Sequence, residues 1–220
     1  MIKKVKTAEL FECDIPYIAE LLEGAEYPWE ILPRIKSHIE KLIDEGLDGF
    51  TEIQSGVWVG HDVKIAPTAT VIPPAVIGRG TEIRVGAFLR GNVIIGENCV
   101  VGNSCELKNC LLMRGAQVPH YNYVGDSVLG NFSHLGAGAV CSNLKSDGRA
   151  VVVHGDRDYA TGLRKMGAIL GDHADIGCGC VLNPGAVVGK NTSVYPLTAL
   201  RGVIPADCIV KSANNIVKRQ

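Results

Sequence analysis

The sequence lacks an excess of either charge: 22 Lys and Arg stand against 23 Asp and Glu, a formal net charge of −1. Nothing in that balance argues for a nucleic acid or an anionic membrane surface as partner. Long apolar runs are missing too, and none approaches the roughly 20 residues of a membrane span. The basic start MIKKVK is followed at once by TAELFECD, without the apolar stretch of a secretory signal. Among eight cysteines there is no CxxC pair; Cys178 and Cys180 are separated by one residue. Cys99, Cys105 and Cys180 sit at inward repeat positions, where a free thiol acts as a small hydrophobe. Reduced structural cysteines, no tightly bound metal and a cytoplasmic protein are therefore expected. Aromatics are few, with two Trp, six Tyr and four Phe, so one that sits among polar groups stands out.

What the chain does have is a period of six. Val59, Ile65, Val71, Ile77, Ile83, Leu89, Ile95, Val101, Leu107 and Met113 recur at that interval. Two residues before each stands a mostly small side chain, from Val57 and Val63 through Cys99, Cys105 and Leu111. A period of six fits neither a helix near 3.6 nor a strand alternating at 2. It fits hexapeptide repeats, in which each six residues form one face of a triangular prism. The aliphatic points inward, and Gly60, Gly78, Gly96 and Gly102 follow it where a corner needs unusual angles or close chain approach. About three hexads, roughly 18 residues, close one coil. Hexapeptide-repeat proteins coil left-handedly, against the usual crossover rule. The expected class is an all-β solenoid, a left-handed parallel β-helix with a short N-terminal helical cap; the period itself carries no hand.

Residues 1–50 read as helical. Asp14 and Pro16 mark a start and Gly24 a stop; a second helix begins near Pro28 and ends at Gly46. Terminal coils need covering, so a cap over one open end of the solenoid is expected, with a subunit-contact role compatible with it. The β-helix is expected over 51–205, with an irregular segment at 117–165, and 206–220 as a tail that leaves the period. Within the irregular segment SNLKSDGRA reads as a loop bulging from the coil. In a repeat protein such interruptions are where binding sites usually sit.

That segment holds His120 and Tyr123, close together in VPHYNYVGD. Lys108 stands two hexads before His120, and Arg90 three hexads before Lys108. One coil of about 18 residues stacks the two cations on one edge, a site suited to a sugar phosphate. The plainer reading is a solvated basic ridge.

The strings ELKN (106–109), VPHYNYVGD (118–126) and LGAGAVCSN (135–143), with the Arg149 region, resemble the acetyltransferase domain of the bifunctional N-acetylglucosamine-1-phosphate uridylyltransferase/glucosamine-1-phosphate acetyltransferase family. TGLRKMGAILGD resembles the corresponding domain of archaeal-type sugar-1-phosphate nucleotidylyltransferase/acetyltransferases. Together the resemblance covers roughly positions 71–220. It implies acetyl transfer from acetyl-CoA to the amine of an amino-sugar 1-phosphate, glucosamine or galactosamine 1-phosphate. It places His120 as general base, a task that suits an imidazole. It makes Arg90 and Lys108 phosphate contacts, and gives Tyr123 and Asn143 the holding of the sugar and orientation of the reacting groups. Arg149 stands where the family tends to have lysine, and His134 where the sugar site carries asparagine. Ala137 and Cys178 fall along the edge where the pantetheine arm would run. A homotrimer with sites between subunits follows from the same resemblance. No uridylyltransferase domain is evident in residues 1–50, and DRDYATGLRKMGA at 156–168 replaces a regular coil.

Two alternatives stand beside it. One is a non-catalytic sugar-phosphate or sugar-nucleotide binding subunit that partners a separate nucleotidylyltransferase. The other is a hexapeptide-type zinc carbonic anhydrase, with His120, His134 and His154 as ligands.

Overall fold

The computed structural model describes residues 4–219. From Val57 the chain winds as a three-faced solenoid. Val57–Gly60 opens the first face, Lys64–Ile65 the second and Thr70–Ile72 the third, and Ala75–Ile77 returns to the first. The faces are sheets of nine, nine and seven strands. Strands within a face are parallel, except at two edges. Phe50–Gln54 pairs antiparallel with Val57–Gly60, and Asn215–Lys218 with Cys208–Ser212. The C-terminal residues expected to leave the period thus form a hairpin that finishes the second face. This is the three-faced β-solenoid that the period of six predicts, of the expected left-handed parallel β-helix class.

The prism interior is a single aliphatic core that includes Ile77, Ile83, Leu89, Ile95, Val101, Leu107, Leu112, Val118, Val124, Leu129 and Leu135. The run departs from the strict period at two single-residue corners, Asn109 and Asp126, where Leu107 and Leu112, and then Val124 and Leu129, are five apart. Ala75 pairs with Val93, a full three hexads on; Val93 then pairs with Cys110, one residue short of that interval. The turn Gly91–Asn92 of one coil is a single residue, Asn109, in the next. Cys110 and Leu112 therefore point inward, where the hexad count placed Leu111 and Met113. Those two lie outside the prism, in the layer beneath the helices. Both sets are apolar, so the side-chain pattern hides the slip.

The N-terminal segment comprises α1 (Thr7–Leu10), α2 (Pro16–Leu22), a 3₁₀ helix (Pro28–Arg34) and α3 (Ile35–Glu45). It does not cap an open end. Val76, Ile94, Leu111, Val128, Ile169, Val187 and Val203 form one outward apolar row along the first face. Leu10, Ile18, Leu21, Trp29, Ile31, Ile35 and Ile39 pack in the same cluster. A strand apolar on both sides must be covered on both, and the row is longer than any end of the prism. Ile94 is fully buried in this layer. Ile94→Ala should lower unfolding stability by about 2–5 kcal/mol, measured by urea denaturation; a loss no larger than that of a surface change would show that the helices do not bind this face.

The irregular stretch is shorter than 117–165. Regular strands continue through Gln117–His120, Tyr123–Gly125, Val128–Leu129, His134–Leu135 and Val140–Cys141. The coil is left only after Cys141 and resumes at Ala168–Leu170. Between them Val152–His154 and Asp158–Ala160 form an antiparallel hairpin. Val151, Val153 and Met166 are buried in the helix layer, and Tyr159 contacts the rings of Tyr27 and Trp29 at 5.5 and 6.2 Å. The insertion folds back onto the N-terminal helices. Among the described residues no helix is long and apolar enough to cross a membrane.

Candidate active site

The corner between the second and third faces is built by residues with left-handed backbone: Gly86, Ser104, Tyr121, Gly138, Gly179 and Leu197, with φ from 51 to 71°. At five of them the amide donates to a carbonyl one coil earlier, Ser104 N to Val85 O at 3.4 Å and the other four more closely. Tyr121 N donates to Asn103 O, Gly138 N to His120 O, Gly179 N to Ala137 O and Leu197 N to Cys178 O, at 2.8–3.0 Å. His120, Ala137 and Cys178 therefore occupy the same position of successive coils, on one edge, and all three are exposed. The His120 backbone is fixed by Asn122, whose Oδ1 accepts from His120 N at 3.1 Å. The imidazole has no hydrogen-bond partner within the described chain. Tyr121 and Leu197 are 65% and 84% exposed, bulky residues in a backbone region that favours glycine, and neither stands out in the sequence.

Past this corner the third face presents its outer side. Phe88 pairs with Glu106 and Leu89 with Leu107, which carries Arg90 alongside Lys108 as their spacing of one coil requires. Neither cation is free. Arg90 is ion-paired to Glu106. Lys108 Nζ lies 3.4 Å from Oδ2 of Asp126, a residue only 5% exposed. Asp126 also accepts from Asn109 Nδ2 at 2.9 Å and from Asn143 Nδ2 at 2.5 Å. Asn143 Nδ2 donates in addition to the Tyr123 hydroxyl at 3.1 Å. Burial, and next the Asp126 charge, push the Tyr123 phenol above its ordinary value. Lys108, Tyr123 and Asn143 thus form one connected group, with Arg90 and Glu106 beside it.

Asp126 and Glu106 are not marked as site residues by the sequence reading. Glu106 lies two residues before Lys108, on the same side of its strand, and that spacing is its one signal; Asp126 falls at the corner just past Gly125, the residue that pairs with Lys108, and has none. Asn92, Asn109 and Asp126 have φ of 52, 47 and 47°. Asn and Asp enter this region more readily than other side chains, which explains why Asx residues form this second corner.

Three candidates lie elsewhere. His134 is on the second face, its Nδ1 2.8 Å from Asp175 Oδ1. A neighbouring carboxylate across the ladder holds the ring, so it does not join the Tyr123 group. Arg149 is in the exposed insertion, where its amide donates to Asp147 Oδ1 at 3.0 Å, and its side chain does not join Lys108. His154 belongs to the hairpin, its Nδ1 2.7 Å from Asp158 Oδ1. Among the described residues no group of three or more His, Cys, Asp or Glu converges as a metal set.

Residues 71–158 match the model of the GMPPB C-terminal domain, a stretch that contains Arg90, Lys108, His120, Tyr123, Asn143 and Arg149. A bifunctional sugar-1-phosphate nucleotidylyltransferase/acetyltransferase from Sulfurisphaera tokodaii is 38% identical over 93 residues, 41% of this chain and 23% of that protein. The bifunctional protein GlmU of Methanococcus vannielii is 28% identical over 180 residues, 82% of this chain and 39% of that protein. The repeat region is homologous to these proteins. The chain spans well under half the length of both. The resemblance drawn from ELKN, VPHYNYVGD and TGLRKMGAILGD is thereby upheld. A hexapeptide transferase family protein from Anaplasma phagocytophilum superposes with a TM-score of 0.50 at 15% identity, covering 76% of this chain and 81% of that one. That likeness concerns the fold alone.

Proposed function

We propose that the protein is an acetyl-CoA-dependent N-acetyltransferase whose acceptor is an amino-sugar 1-phosphate. The observation that carries the reading is the adjacency of two arrays. An exposed His120 shares one corner column with Ala137 and Cys178, and the chain passes from it directly to Tyr123 in the Tyr123–Asn143–Lys108 group of the third face. The column offers an open, small-residue edge for the pantetheine arm. The group beside it offers a phenol, an amide and two cations for the sugar and its phosphate. In this reading His120 takes the proton of the attacking amine, and the amine nitrogen then forms the new bond to the acetyl carbon as CoA thiolate leaves.

The Sulfurisphaera relative is itself named for both a sugar 1-phosphate and acetyl transfer. The exposed Val85, Tyr121, Val181 and Leu197 lie along the same corner and third face. A homotrimer that places a neighbouring subunit against them would cover this apolar surface and complete the site. Arg149 and His134 would then enter it from a neighbouring subunit. Cysteines that form no disulfide among the described residues suit a reducing cytoplasm. Cell-envelope or sugar-nucleotide precursor metabolism is the setting this substrate implies.

One observation favours the non-catalytic binding subunit instead: the His120 ring has no orienting acceptor in its own described chain, whereas a catalytic base commonly has one. The deciding experiment is release of CoA thiol from acetyl-CoA with a panel of amino-sugar 1-phosphates. Acceptor-dependent release names the sugar; silence with every acceptor, together with measurable sugar-phosphate binding, selects the binding subunit. Lys108→Met should weaken acceptor affinity about tenfold, roughly 1.4 kcal/mol, by calorimetry. Unchanged affinity would remove Lys108 from the site.

A further inference from the structure

The structure places a buried carboxylate where the Lys108, Asn109 and Asn143 side chains meet, and we infer that Asp126 is the positioning residue of the third-face site. The inference rests on the acetyl-transfer reading for its kinetic consequence, and on geometry for the rest. Asp126 is 5% exposed, and its two oxygens are divided between neighbours. Oδ1 accepts from Asn109 at 2.9 Å, Oδ2 from Asn143 at 2.5 Å, and Lys108 Nζ stands 3.4–3.5 Å from both. Asn109 Nδ2 donates as well to the carbonyl of Leu32 at 3.3 Å, which ties the carboxylate to the helical layer behind it.

A lysine side chain is a flexible stem, and an ammonium facing solvent would sample many positions. The buried charge holds it to one. The amide of Asn143 is set in the same way: its Nδ2 is committed to Asp126 and to the Tyr123 hydroxyl. One carboxylate thereby fixes the orientation of a cation, an amide and, through the amide, a phenol. A buried charge that lost these partners would be costly, so the arrangement is rigid before any ligand arrives. That preorganisation lowers the ordering cost of binding.

Asp126→Asn is the informative change. Asparagine is isosteric and tolerates the left-handed backbone at φ 47°, so the corner is retained while the charge is lost. With wild-type protein turning over glucosamine 1-phosphate or galactosamine 1-phosphate, the variant should lose about tenfold or more in kcat/KM. The loss should appear in the KM for the acceptor and in kcat, with the KM for acetyl-CoA unmoved. In a Lys108→Met background the same change should cost clearly less than it does alone, because the Lys108 share is already lost and only the Asn143 and Tyr123 share remains; losses that simply multiply would show two independent roles and overturn the inference.

A second readout needs no turnover. The Asp126 charge contributes to the upward displacement of the Tyr123 phenol, so its titration should move down in Asp126→Asn. Carbon-13 NMR of tyrosine Cζ, assigned with Tyr123→Phe, reads that shift. An unmoved phenol with wild-type calorimetric affinity for glucosamine 1-phosphate would overturn the positioning role. A wild-type protein that acetylates nothing would overturn the enzyme reading alone, and the phenol titration would still decide on Asp126.

Discussion

His120→Ala is expected to reduce acetyl transfer by about 10²–10⁴-fold, the range for losing a general base, and to leave the melting temperature unchanged. The structure separates these two effects. The imidazole is exposed and has no hydrogen-bond partner within the described chain, so its removal deletes no packing and strands no buried polar group. The local fold is held by the main chain: His120 N donates to Asn122 Oδ1, and His120 O accepts from Gly138 N at 3.0 Å. Alanine keeps both bonds. Thiol release and calorimetric unfolding on one preparation test the prediction. A large drop in stability would make His120 a packing residue. Undiminished turnover would remove it as the base.

Gly102→Ala should be the most destabilising single change in the chain's central coils, costing more than about 4 kcal/mol or preventing folding altogether. A Cβ at Gly102 would lie 1.5 Å from the carbonyl oxygen of Pro119 and 2.0 Å from its carbon. Those are backbone atoms of the next coil, one residue from His120, so no side-chain rotation relieves the contact. Gly138→Ala is the control. It lies in the same region at φ 71°, with nothing within 4 Å of the added carbon. Its cost should be limited to the strain of a left-handed backbone, about 1–2 kcal/mol. Denaturant unfolding of the two variants orders them; equal losses would mean that the coils shift to admit the added carbon and that coil spacing is not what requires Gly102.

That contrast also bears on how the repeat is written in the sequence. The glycines that follow the inward aliphatics are Gly60, Gly78, Gly96 and Gly102, and none has positive φ. Their shared property is proximity: added carbons would meet Arg79 N at 2.7 Å, Gly96 C at 2.6 Å and Arg114 N at 2.9 Å for the first three. The unusual angles fall two residues later, at Asp62, Gly80, Asn98 and Ser104. The sequence marks the corner correctly, but two different physical demands are spread over its positions.

The site is legible to a similar degree. The stacking of Arg90 on Lys108 is a property of one coil, and it survives because no residue is lost between them. Of the carboxylates that hold the cations, Glu106 is marked only by its place two residues before Lys108 and Asp126 by nothing, since an acid is common at any surface position and only its burial gives Asp126 its importance. His134 belongs to the site by its place in a motif, yet its side chain faces Asp175 on the second sheet. Within one chain the face on which a residue falls keeps it apart from the Tyr123 group, and a motif match carries no record of that.

By itself the period of six determined the solenoid, its three faces and its aliphatic core, because a prism one side chain wide accepts only such residues at its inward positions. Three features were decided by tertiary structure. One residue fewer at Asn109 shifted the inward set to Cys110 and Leu112, invisible because Leu111 and Met113 are equally apolar. The N-terminal helices went to the flank, because the first face carries an outward row of Val, Ile and Leu that only a long apolar layer can cover. And Asp126 became the hub of the third face, because the tightened corner turned its carboxylate toward Lys108 and Asn143 and away from water.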